Sequence, residues 1–427
     1  MTMVLGKSVV TGSLAHDEVR QIVAQAAVEL HIAGKRVLTI IPDGTRSMPM
    51  PLIFRLLQEE IGTRAAACDY LVALGTHPLM GDAALTRLMG QPVLNGECDK
   101  ARVFNHRWDL PGTLVDLGTI PADEVAASSC GLLSEPILVK INRLLFDYDQ
   151  VLICGPVFPH EVVGFSGGNK YLFPGVSSGE MINQTHWLGA LLGSYDLIGT
   201  IVTPVRELID RAAAKISVPV ACFALVLAGQ DSTGGPGIAG LHFGPAREAW
   251  RAAVDLSSQK HIQWVDRPFR RVLSVLPRMY DDIWTGSKGM YKVEPAMLEG
   301  GEVILYAPHI TEISYTHGAF LDQIGYHCRD YFLKQGSRFE GIPRSAIAHS
   351  THLKGQGTYD AATGVETPRI NVTLATGIPE ERCRRLNLGY LDPKIINMED
   401  WRDREAEGIK LIPRAGETLY RLKVTAA

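Results

Sequence analysis

Two histidines and a lysine lie close together in the sequence between Pro159 and Trp187. His160 precedes Lys170 by ten residues, and His186 follows it by sixteen. Imidazole groups transfer protons near neutral pH or bind metals, and a lysine amine binds anions or forms covalent adducts. This segment therefore carries groups suited to acid–base, metal or covalent chemistry.

Glycines surround Ser166 in the same segment, at positions 164, 167 and 168. Residues without a Cβ let the backbone bend so that several N–H groups face one anion, and the Ser166 hydroxyl adds another donor. Glycines after a strand are equally typical of ordinary turns, and neither G-x-G-x-x-G nor the phosphate-loop pattern is present. His160-Glu161 lacks the second histidine of a zinc-protease helix, because position 164 is glycine. The glycines alone leave an anion site and a plain turn open.

The elements around this segment place it at the edge of a sheet. The apolar run 151–154 predicts a short buried strand, so the segment begins at a strand's carboxyl end, where open α/β sheets bind ligands. Two earlier predicted strands, 37–41 and 69–74, also end in polar residues. Because parallel strands share one carboxyl edge, we expect the segment to line a crevice with the following side chains: Asp43, Thr45, Arg46 and His77.

Strands and amphipathic helices alternate along much of the chain. This pattern predicts an α/β fold with two α/β domains. The larger N-terminal domain, 1–267, is expected to hold a mostly parallel sheet with helices on both faces, and the smaller C-terminal domain, 268–427, a second α/β unit. Further predicted strands lie at 102–105, 113–117 and 136–141, then at 302–306, 346–348 and 369–374, with a strand pair within 408–422.

Composition limits the class of partner. The chain has 427 residues, of which 46% are hydrophobic and 21% charged, with a formal net charge of −4, as is ordinary for a globular protein. The basic residues form no block, which argues against nucleic acid and an anionic membrane surface. No apolar run reaches about 18 residues, and the seven cysteines are scattered without C-x-x-C spacing. We therefore expect a cytoplasmic protein with a small ligand, no nucleic-acid partner and no membrane contact.

Four motifs occur in order along the chain: D-x-T-R at 43–46, G-T-H at 75–77, H-x4-F-S-G-G-x-K at 160–170, and a lysine at 288 within W-T-G-S-K. His186, in the helix expected after the third motif, completes the set. Their order and spacing resemble those of the nickel-dependent lactate racemase family, whose enzymes use a nickel-pincer nucleotide. By motif placement, the resemblance covers roughly two thirds of the chain.

The resemblance implies a cofactor site. Lys170 would carry the nickel-pincer nucleotide, a pyridinium thioamide/thiocarboxylate mononucleotide, in covalent linkage, and His186 would bind the nickel. The enzymes that synthesise this cofactor are expected partners. The other residues assigned to the cofactor are Thr45, Ser166, Gly167 and Gly168.

The resemblance also implies a substrate site. Arg46 and Lys288 would hold the carboxylate of the substrate, His77 and His160 would be its acid and base, and Asp43 would orient Arg46 or the cofactor. Imidazole has an ordinary pKa of about 6.5, which suits proton transfer in both directions. We expect an isomerase that inverts the C2 centre of a 2-hydroxy acid by reversible hydride transfer to the tethered cofactor.

The sequence departs from the family pattern beside these motifs. Proline, arginine, arginine and glutamine are usual at the positions of Ser47, Pro78, Asn169 and Thr285. Because the groups that do the chemistry remain while their neighbours change, we expect a substrate other than lactate, such as a bulkier 2-hydroxy acid or a sugar acid. Two other functions stay open: a metal-dependent hydrolase or lyase acting on a small carboxylate, and a non-catalytic cofactor-binding protein. No role is assigned to His106, His349 or His352.

Overall fold

The computed structural model of the chain describes residues 4–231 and 235–423. The chain divides into two compact units whose segments alternate. Unit 1 comprises Met1–Phe158, Phe165–Ile182 and Arg206–Lys260, and unit 2 comprises Pro159–Gly164, Asn183–Val205 and His261–Ala427. The two continuous domains expected from the sequence, 1–267 and 268–427, stay a prediction.

The strands are numbered along the chain. They are β1 Leu5–Ser8, β2 Arg36–Ile41, β3 Ala67–Val72, β4 Glu97–Cys98, β5 Ala101–Asn105, β6 Leu114–Ile120, β7 Ile137–Asn142, β8 Gln150–Pro156, β9 Pro159–His160, β10 Gly164–Phe165, β11 Val220–Gln230, β12 Pro236–Gly244, β13 Ile262–Val265, β14 Phe269–Val275, β15 Met297–Ala307, β16 Gly357–Asp360, β17 Val365–Pro368, β18 Asn371–Thr376, β19 Gly389–Tyr390, β20 Ile409–Ile412 and β21 Leu419–Leu422.

The helices are numbered in the same way. They are α1 His16–Glu29, α2 Met50–Leu57, α3 Asp82–Met89, α4 Ala122–Ser128, α5 Gly179–Leu192, α6 Ser194–Leu197, α7 Pro204–Ala213, α8 Ala246–His261, α9 Ile283–Gly286, α10 Lys288–Tyr291, α11 Gly318–Ile324, α12 Arg329–Leu333, α13 Arg344–Lys354 and α14 Glu380–Arg385. Single 3-10 turns lie at Arg143–Asp147, Gly168–Tyr171, Glu294–Ala296, Gly336–Phe339, Pro393–Ile395, Met398–Trp401 and Glu405–Glu407, and a π turn, Gln58–Gly62, extends α2.

The main sheet of unit 1 has the strand order β1-β12-β11-β8-β2-β3-β5-β4. Its central strands, from β11 to β5, pair in parallel, and the edges at β12, β1 and β4 are antiparallel. Every residue of β8 is buried, as expected of a parallel strand covered on both faces. The predicted α/β fold with a mostly parallel sheet is confirmed. Because β8, β2 and β3 are neighbours, their carboxyl ends meet at one edge.

Helix α2 fixes the loop that follows β2. Pro49 and Pro51 flank its first residue, where proline's fixed φ favours the start of a helix. The apolar side chains of Met50, Ile53 and Phe54 recur at helical spacing and are buried, and each such side chain contributes about 1.5–3 kcal/mol when removed from water. The loop between β2 and α2 is therefore anchored at both ends.

The main sheet of unit 2 has the order β19-β18-β15-β14-β20 and is parallel throughout. Its apolar residues, such as Val272 and Leu305, join those of the surrounding helices in one buried cluster. Within the residues described for both units, no helix has the length and hydropathy needed to span a bilayer.

Two strands predicted for the main sheet of unit 1 form a separate pair. β6 and β7 are antiparallel to each other, from Leu114 opposite Asn142 to Ile120 opposite Ile137. The assignment of 113–117 and 136–141 to the parallel sheet is therefore wrong. Buried and partly exposed positions alternate along much of β7, which is the pattern of a strand covered on one face only.

Two predictions for the second half of the chain are also wrong. Residues 346–348 lie in α13, whose positions from Ser345 to Lys354 are all buried, and a short apolar run cannot distinguish a strand from a buried helix. The segment 408–422 does contain two strands. However, β20 pairs with β14 and β21 pairs with β13, so the two strands do not pair with each other.

Candidate active site

The loop after β2 and the loop after β3 meet at a buried carboxylate in unit 1. Asp43 is 7% exposed, and its Oδ1 accepts hydrogen bonds from the amide (3.0 Å) and the hydroxyl (2.7 Å) of Thr45. Its Oδ2 lies 2.5 Å from Nδ1 of His77. The crevice predicted from strand ends thus brings these residues together, and Asp43 contacts His77 directly.

The charges around Asp43 keep it ionised. Burial alone would raise the pKa of this carboxyl, but the charge and hydrogen bond of His77, followed by the charge of Arg46, outweigh burial. The pKa of Asp43 therefore lies well below its usual range. An ionised carboxylate at Nδ1 holds the His77 ring proton on that nitrogen and leaves Nε2 as an acceptor.

Arg46 is tied to the same group through a hydroxyl. Its Nη1 donates to Thr45 Oγ1 at 3.3 Å, while the Thr45 hydroxyl donates to Asp43. The guanidinium of Arg46 also acts electrostatically on Tyr171, whose pKa burial raises above its usual range. Tyr171 directly follows Lys170 in the chain. The lysine predicted to carry the cofactor is therefore next to a residue that interacts electrostatically with Arg46.

Gly155 makes room for Tyr171. A Cβ at position 155 would lie 2.1 Å from the Tyr171 hydroxyl oxygen, a separation that the β8 backbone could not accommodate without moving the ring. Tyr171 is not among the site residues predicted from the sequence. A glycine near the end of a buried strand is a signal that could have indicated a close neighbour.

The turn that carries Lys170 is held by its carbonyl groups. Arg206 donates through Nη1 to the Gly167 carbonyl at 3.1 Å and through Nη2 to the Phe165 carbonyl, and Trp250 Nε1 donates to the Ser166 carbonyl at 2.8 Å. The Arg206 guanidinium lies 4.3 Å over the Trp250 ring. Burial lowers the pKa of Arg206 to about 10, so it remains a cation at neutral pH. The turn is therefore rigidly placed.

Ser166 and the glycines of this turn make internal contacts. The Ser166 hydroxyl donates to the Pro156 carbonyl at 3.2 Å and accepts the Phe158 amide at 2.9 Å. Gly167 and Gly168 have φ of 83° and 58°, and a Cβ at these positions would lie 2.7 Å from Val157 and 2.9 Å from Trp250. These residues shape the turn, and their predicted contact with the cofactor stays a prediction.

His160 belongs to unit 2 and is 7% exposed. Its Nδ1 accepts the Val162 amide at 3.1 Å, so the neutral ring carries its proton on Nε2. The Glu161 carboxylate lies 3.2 Å from the same Nδ1 and would stabilise the protonated ring. His160 and His77 therefore hold their neutral-state protons on different nitrogens.

His186 lies on α5 among other imidazole rings of unit 2. The Thr185 hydroxyl is 3.4 Å from its Nδ1. Burial lowers the pKa of His349 well below its usual range, and the nearby His352, His317 and His186 lower it further. His349 is thus a neutral ring in the neighbourhood of the predicted nickel ligand.

Trp284 is stacked between two of these histidines. Its ring lies 4.1 Å from His349 at an interplanar angle of 21°, and 4.5 Å from His317 at 34°. Nε2 of His349 is buried and has no hydrogen-bond partner among the described residues. This stack was not predicted from the sequence, although Trp284 belongs to the motif that contains Lys288.

The Lys288 motif is organised by a helix cap. Asp282 accepts the amide of Thr285 at 2.9 Å and its hydroxyl at 2.9 Å, as an N-cap residue does. The Lys288 amine lies 4.5 Å over the Tyr280 ring. Thr285, which stands where the family usually has glutamine, therefore uses its hydroxyl to stabilise the turn.

His106 has a structural place in unit 1. The ring is buried, with Nε2 2.9 Å from the Ser177 carbonyl and Nδ1 3.1 Å from the Asn142 amide nitrogen. Burial lowers its pKa to about 4. With both nitrogens engaged, His106 supports the backbone before α5.

The structure therefore brings Asp43, Thr45, Arg46, His77 and Tyr171 together in unit 1, and gathers His186, Trp284, His317 and His349 in unit 2. Among the residues that the structure describes, no group of three or more His, Cys, Asp and Glu side chains could hold a metal ion by itself. The chemical roles assigned to these side chains stay predictions.

Comparison with protein families identifies the first part of the chain. A model of the lactate racemase N-terminal domain matches residues 16–194, a range that contains every assigned residue except Lys288. The lactate racemase of Thermoanaerobacterium thermosaccharolyticum is 26% identical over 187 residues, which are 43% of this chain and 40% of that protein. The lactate racemase of Lactiplantibacillus plantarum is 27% identical over 156 residues, 36% of this chain and 33% of that protein. The chain thus aligns with well under half of each relative's length.

Solved structures resemble the chain over nearly its whole length. A protein from Thermotoga maritima, studied by the Northeast Structural Genomics Consortium, has a TM-score of 0.89 and 34% identity over 97% of this chain and 99% of that one. The lactate racemase apoprotein from Thermoanaerobacterium thermosaccharolyticum has a TM-score of 0.70 and 19% identity over 96% of this chain and 94% of that one. The second likeness is one of fold.

Proposed function

The chain is a divergent member of the lactate racemase family, and we propose that it inverts the C2 centre of a 2-hydroxy acid other than lactate. The observation that carries this proposal is the hydrogen-bonded group in unit 1 that joins His77 to Arg46 through two side chains of the loop after β2. His77 can exchange a proton with the hydroxyl of a hydroxy acid, and Arg46 can bind its carboxylate.

His77 would remove the proton of the substrate hydroxyl. Its Nδ1–H is held by the ionised Asp43 carboxylate, so the lone pair on Nε2 is available as a base. The imidazolium that forms on proton uptake would be stabilised by the same carboxylate, since opposite charges in a buried site attract strongly. Asp43 is therefore a positioning residue for His77.

His160 would act as the second proton-transfer group. Its protonated ring, stabilised by the Glu161 carboxylate 3.2 Å from Nδ1, would return a proton to the substrate oxygen and become neutral, while neutral His77 takes the hydroxyl proton and becomes protonated. Inversion thus starts with one neutral and one protonated imidazole. In the reverse direction the two histidines exchange roles, so the number of protons is conserved.

Arg46 and Lys288 would bind the substrate carboxylate. Arg46 is oriented by the Thr45 hydroxyl, and a guanidinium binds a carboxylate through two parallel N–H groups. Lys288 adds a point charge whose position is defined by the Tyr280 ring. A guanidinium held in this way would keep the carboxylate still while the hydrogen at C2 changes face.

Lys170 and His186 fit a tethered nickel-pincer nucleotide. The turn of Lys170 is fixed by Arg206 and Trp250, so a covalent adduct there would have a defined position. A single imidazole suits a metal whose other ligands belong to the nucleotide, and nickel accepts imidazole and sulfur ligands. When bound, this group supplies a reversible hydride acceptor for the hydrogen at C2.

The side chains beside the motifs support a substrate other than lactate. The Thr285 hydroxyl is committed to Asp282, so the contact that a glutamine would provide at this position is absent. The ring stack around Trp284 adds polar and aromatic groups to the neighbourhood of His186. We therefore propose a larger 2-hydroxy acid, either bulkier in its side chain or a sugar acid.

The test is a racemisation screen over a panel of 2-hydroxy acids, with protein produced together with nickel and the cofactor-synthesis enzymes. We expect inversion of at least one acid, and an intact mass above that of the polypeptide. Lys170→Ala should lose both the added mass and the activity, whereas the control Lys100→Ala, at an exposed position, should keep both. An unmodified mass for wild-type protein made in this way would contradict the cofactor assignment.

A further inference from the structure

Unit 2 contains a cavity of about 390 Å³ that uses none of the residues assigned above to the reaction. Its wall is formed by the ends of α5 and α13, by α6, by one residue each of β15 and α12, and by the strands β16 and β17 with the residues next to them. The volume falls within the range of about 300–1,000 Å³ that small-molecule sites occupy. All of these segments belong to unit 2.

Charged residues of both signs line this cavity, of which Asp196, Glu299 and Arg329 are exposed and Arg369 is half-buried. Arg329, Arg369, Asp196 and Glu299 line it. Across residues 4–231 and 235–423, none of these four side chains takes part in an ion pair. The lining therefore includes two arginines and two acidic residues that are not neutralised by ion pairs with other described residues.

The two guanidinium groups are already oriented. Arg329 donates through Nη1 to the Leu191 carbonyl at 2.5 Å. Arg369 donates to the carbonyls of Glu294 (3.1 Å) and Met297 (2.6 Å) and lies 5.0 Å over a tyrosine ring. Since a guanidinium has five N–H donors, these bonds position it and leave donors for a ligand. Such preorganisation reduces the entropy lost on binding.

Among the described residues, two buried polar atoms beside the cavity have no hydrogen-bond partner. Nε2 of His352, which belongs to the lining, and Oε2 of Glu294 have no hydrogen-bond partner within the described part of the chain. The other oxygen of Glu294 accepts the amide of Gln356, a lining residue, at 2.8 Å. Because an unpartnered buried polar group costs about 1–3 kcal/mol, native proteins usually satisfy such groups. A polar ligand that reaches this wall would be favoured.

The lining chemistry selects the ligand class. Guanidinium groups bind carboxylates, whereas Asp196 and Glu299 accept hydrogen bonds from hydroxyl groups, and Thr358 adds a hydroxyl of its own. A simple anion would be repelled by the two carboxylates and could not donate hydrogen bonds to them. We propose that this cavity binds a small hydroxylated carboxylic acid, such as a sugar acid, at a site separate from the residues assigned to catalysis.

The position of the cavity links it to the proposed reaction. Its lining includes Ala190 on α5, one turn after His186, and His352 on α13, one turn after His349. Residues one turn apart lie on the same face of a helix. A ligand in the cavity would therefore contact both helices that carry imidazoles near the proposed nickel ligand, and an effect on turnover would rest on the proposed function.

The binding test uses calorimetry on the full chain, produced without the cofactor, with D-gluconate as the probe. Sorbitol, which lacks the carboxylate, and butyrate, which lacks the hydroxyls, are the comparison probes. We expect gluconate to bind at least about tenfold more tightly than either, since one charge-assisted hydrogen bond is worth that factor. Failure of gluconate to bind the wild-type chain, or equal binding of butyrate, would overturn the proposal.

Substitutions of residues that line the cavity test whether gluconate binds there. Arg329→Gln should weaken gluconate binding about tenfold or more, and Thr358→Trp, which adds volume at an exposed lining position, should block it. Arg402→Gln, an exposed arginine of the same unit, is the matched control and should bind as wild type. Circular dichroism melting checks that each variant is folded.

Arg46→Ala separates this site from the proposed active site. If the cavity is the binding site, Arg46→Ala should retain gluconate binding, and Arg329→Gln in that background should weaken it by the same factor of about ten or more. Loss of binding in Arg46→Ala together with full binding in Arg329→Gln would place the ligand at the proposed active site. That result would overturn the cavity proposal and leave the proposed function standing.

Discussion

Replacing Glu294 by glutamine should remove a pH-dependent loss of stability. The Glu294 side chain is fully buried. Burial, together with the charge of Asp196, raises its pKa from an ordinary 4.5 to about 7, although the Gln356 amide and Arg369 favour the ionised form. The folded protein therefore keeps this proton to a higher pH than the unfolded chain does.

The sign and size of the effect follow from that difference. Stability from Glu294 is fully present below pH 4.5 and falls as the pH rises toward 7, because the folded state binds the extra proton. Each pKa unit corresponds to about 1.4 kcal/mol, so the difference in pKa corresponds to about 3 kcal/mol lost between roughly pH 5 and 8. Glutamine keeps the acceptor for the Gln356 amide and does not ionise.

Urea denaturation at a series of pH values tests this expectation. The free energy of unfolding of the wild type, minus that of Glu294→Gln, should fall by about 3 kcal/mol from pH 5 to pH 8. The control is Ser337→Ala, a change at an exposed uncharged position of the same unit, for which the difference should stay level over the same pH range. Parallel stability curves for wild type and Glu294→Gln would refute the argument that burial dominates at this carboxyl.

Three further predictions concern the proposed reaction and the site that supports it. Asp43→Asn should lower kcat by about 10²- to 10⁴-fold through loss of His77 positioning, whereas Asp123→Asn, an exposed control, should not. A substrate deuterated at C2 should give inverted product that keeps its deuterium by mass spectrometry, because a transferred hydride never meets solvent; complete exchange with water would exclude hydride transfer. Gly155→Ala should destabilise unit 1 by about 1–3 kcal/mol through overpacking against Tyr171, and an unchanged denaturation midpoint would contradict the close contact.

The chain positions of the strands were sufficient to predict the group around Asp43. Apolar runs marked β2 and β3, and parallel neighbours share a carboxyl edge, so polar residues after each strand had to meet. The direct bond between Asp43 and His77 could not be predicted in this way, because it depends on side-chain rotamers in two loops. The predicted partner of Asp43 was therefore Arg46 or the cofactor, whereas in the structure its carboxylate contacts His77 directly.

Other features needed three-dimensional packing. The stack of Trp284 on His317 and His349 joins side chains from three separate parts of unit 2, and no local pattern connects them. The glycines around Ser166 are compatible with an anion site and with a plain turn, and the structure adds the contacts of these residues with neighbouring backbone and with Trp250. The local sequence indicates which backbone conformations a turn can adopt, whereas the residues that contact the turn come from distant segments of the chain.

The alternation of the two units along the chain has a consequence for recombination. Because 159–164 and 183–205 belong to unit 2 while 165–182 belongs to unit 1, a single crossover between two related genes cannot exchange one unit whole. A chimaera joined near residue 267 would pair His160 and His186 from one parent with the rest of unit 2 from the other. One crossover therefore transfers only some of the unit 2 substitutions that suit a new substrate. Grafting the whole of unit 2 onto a relative would require five junctions in the gene.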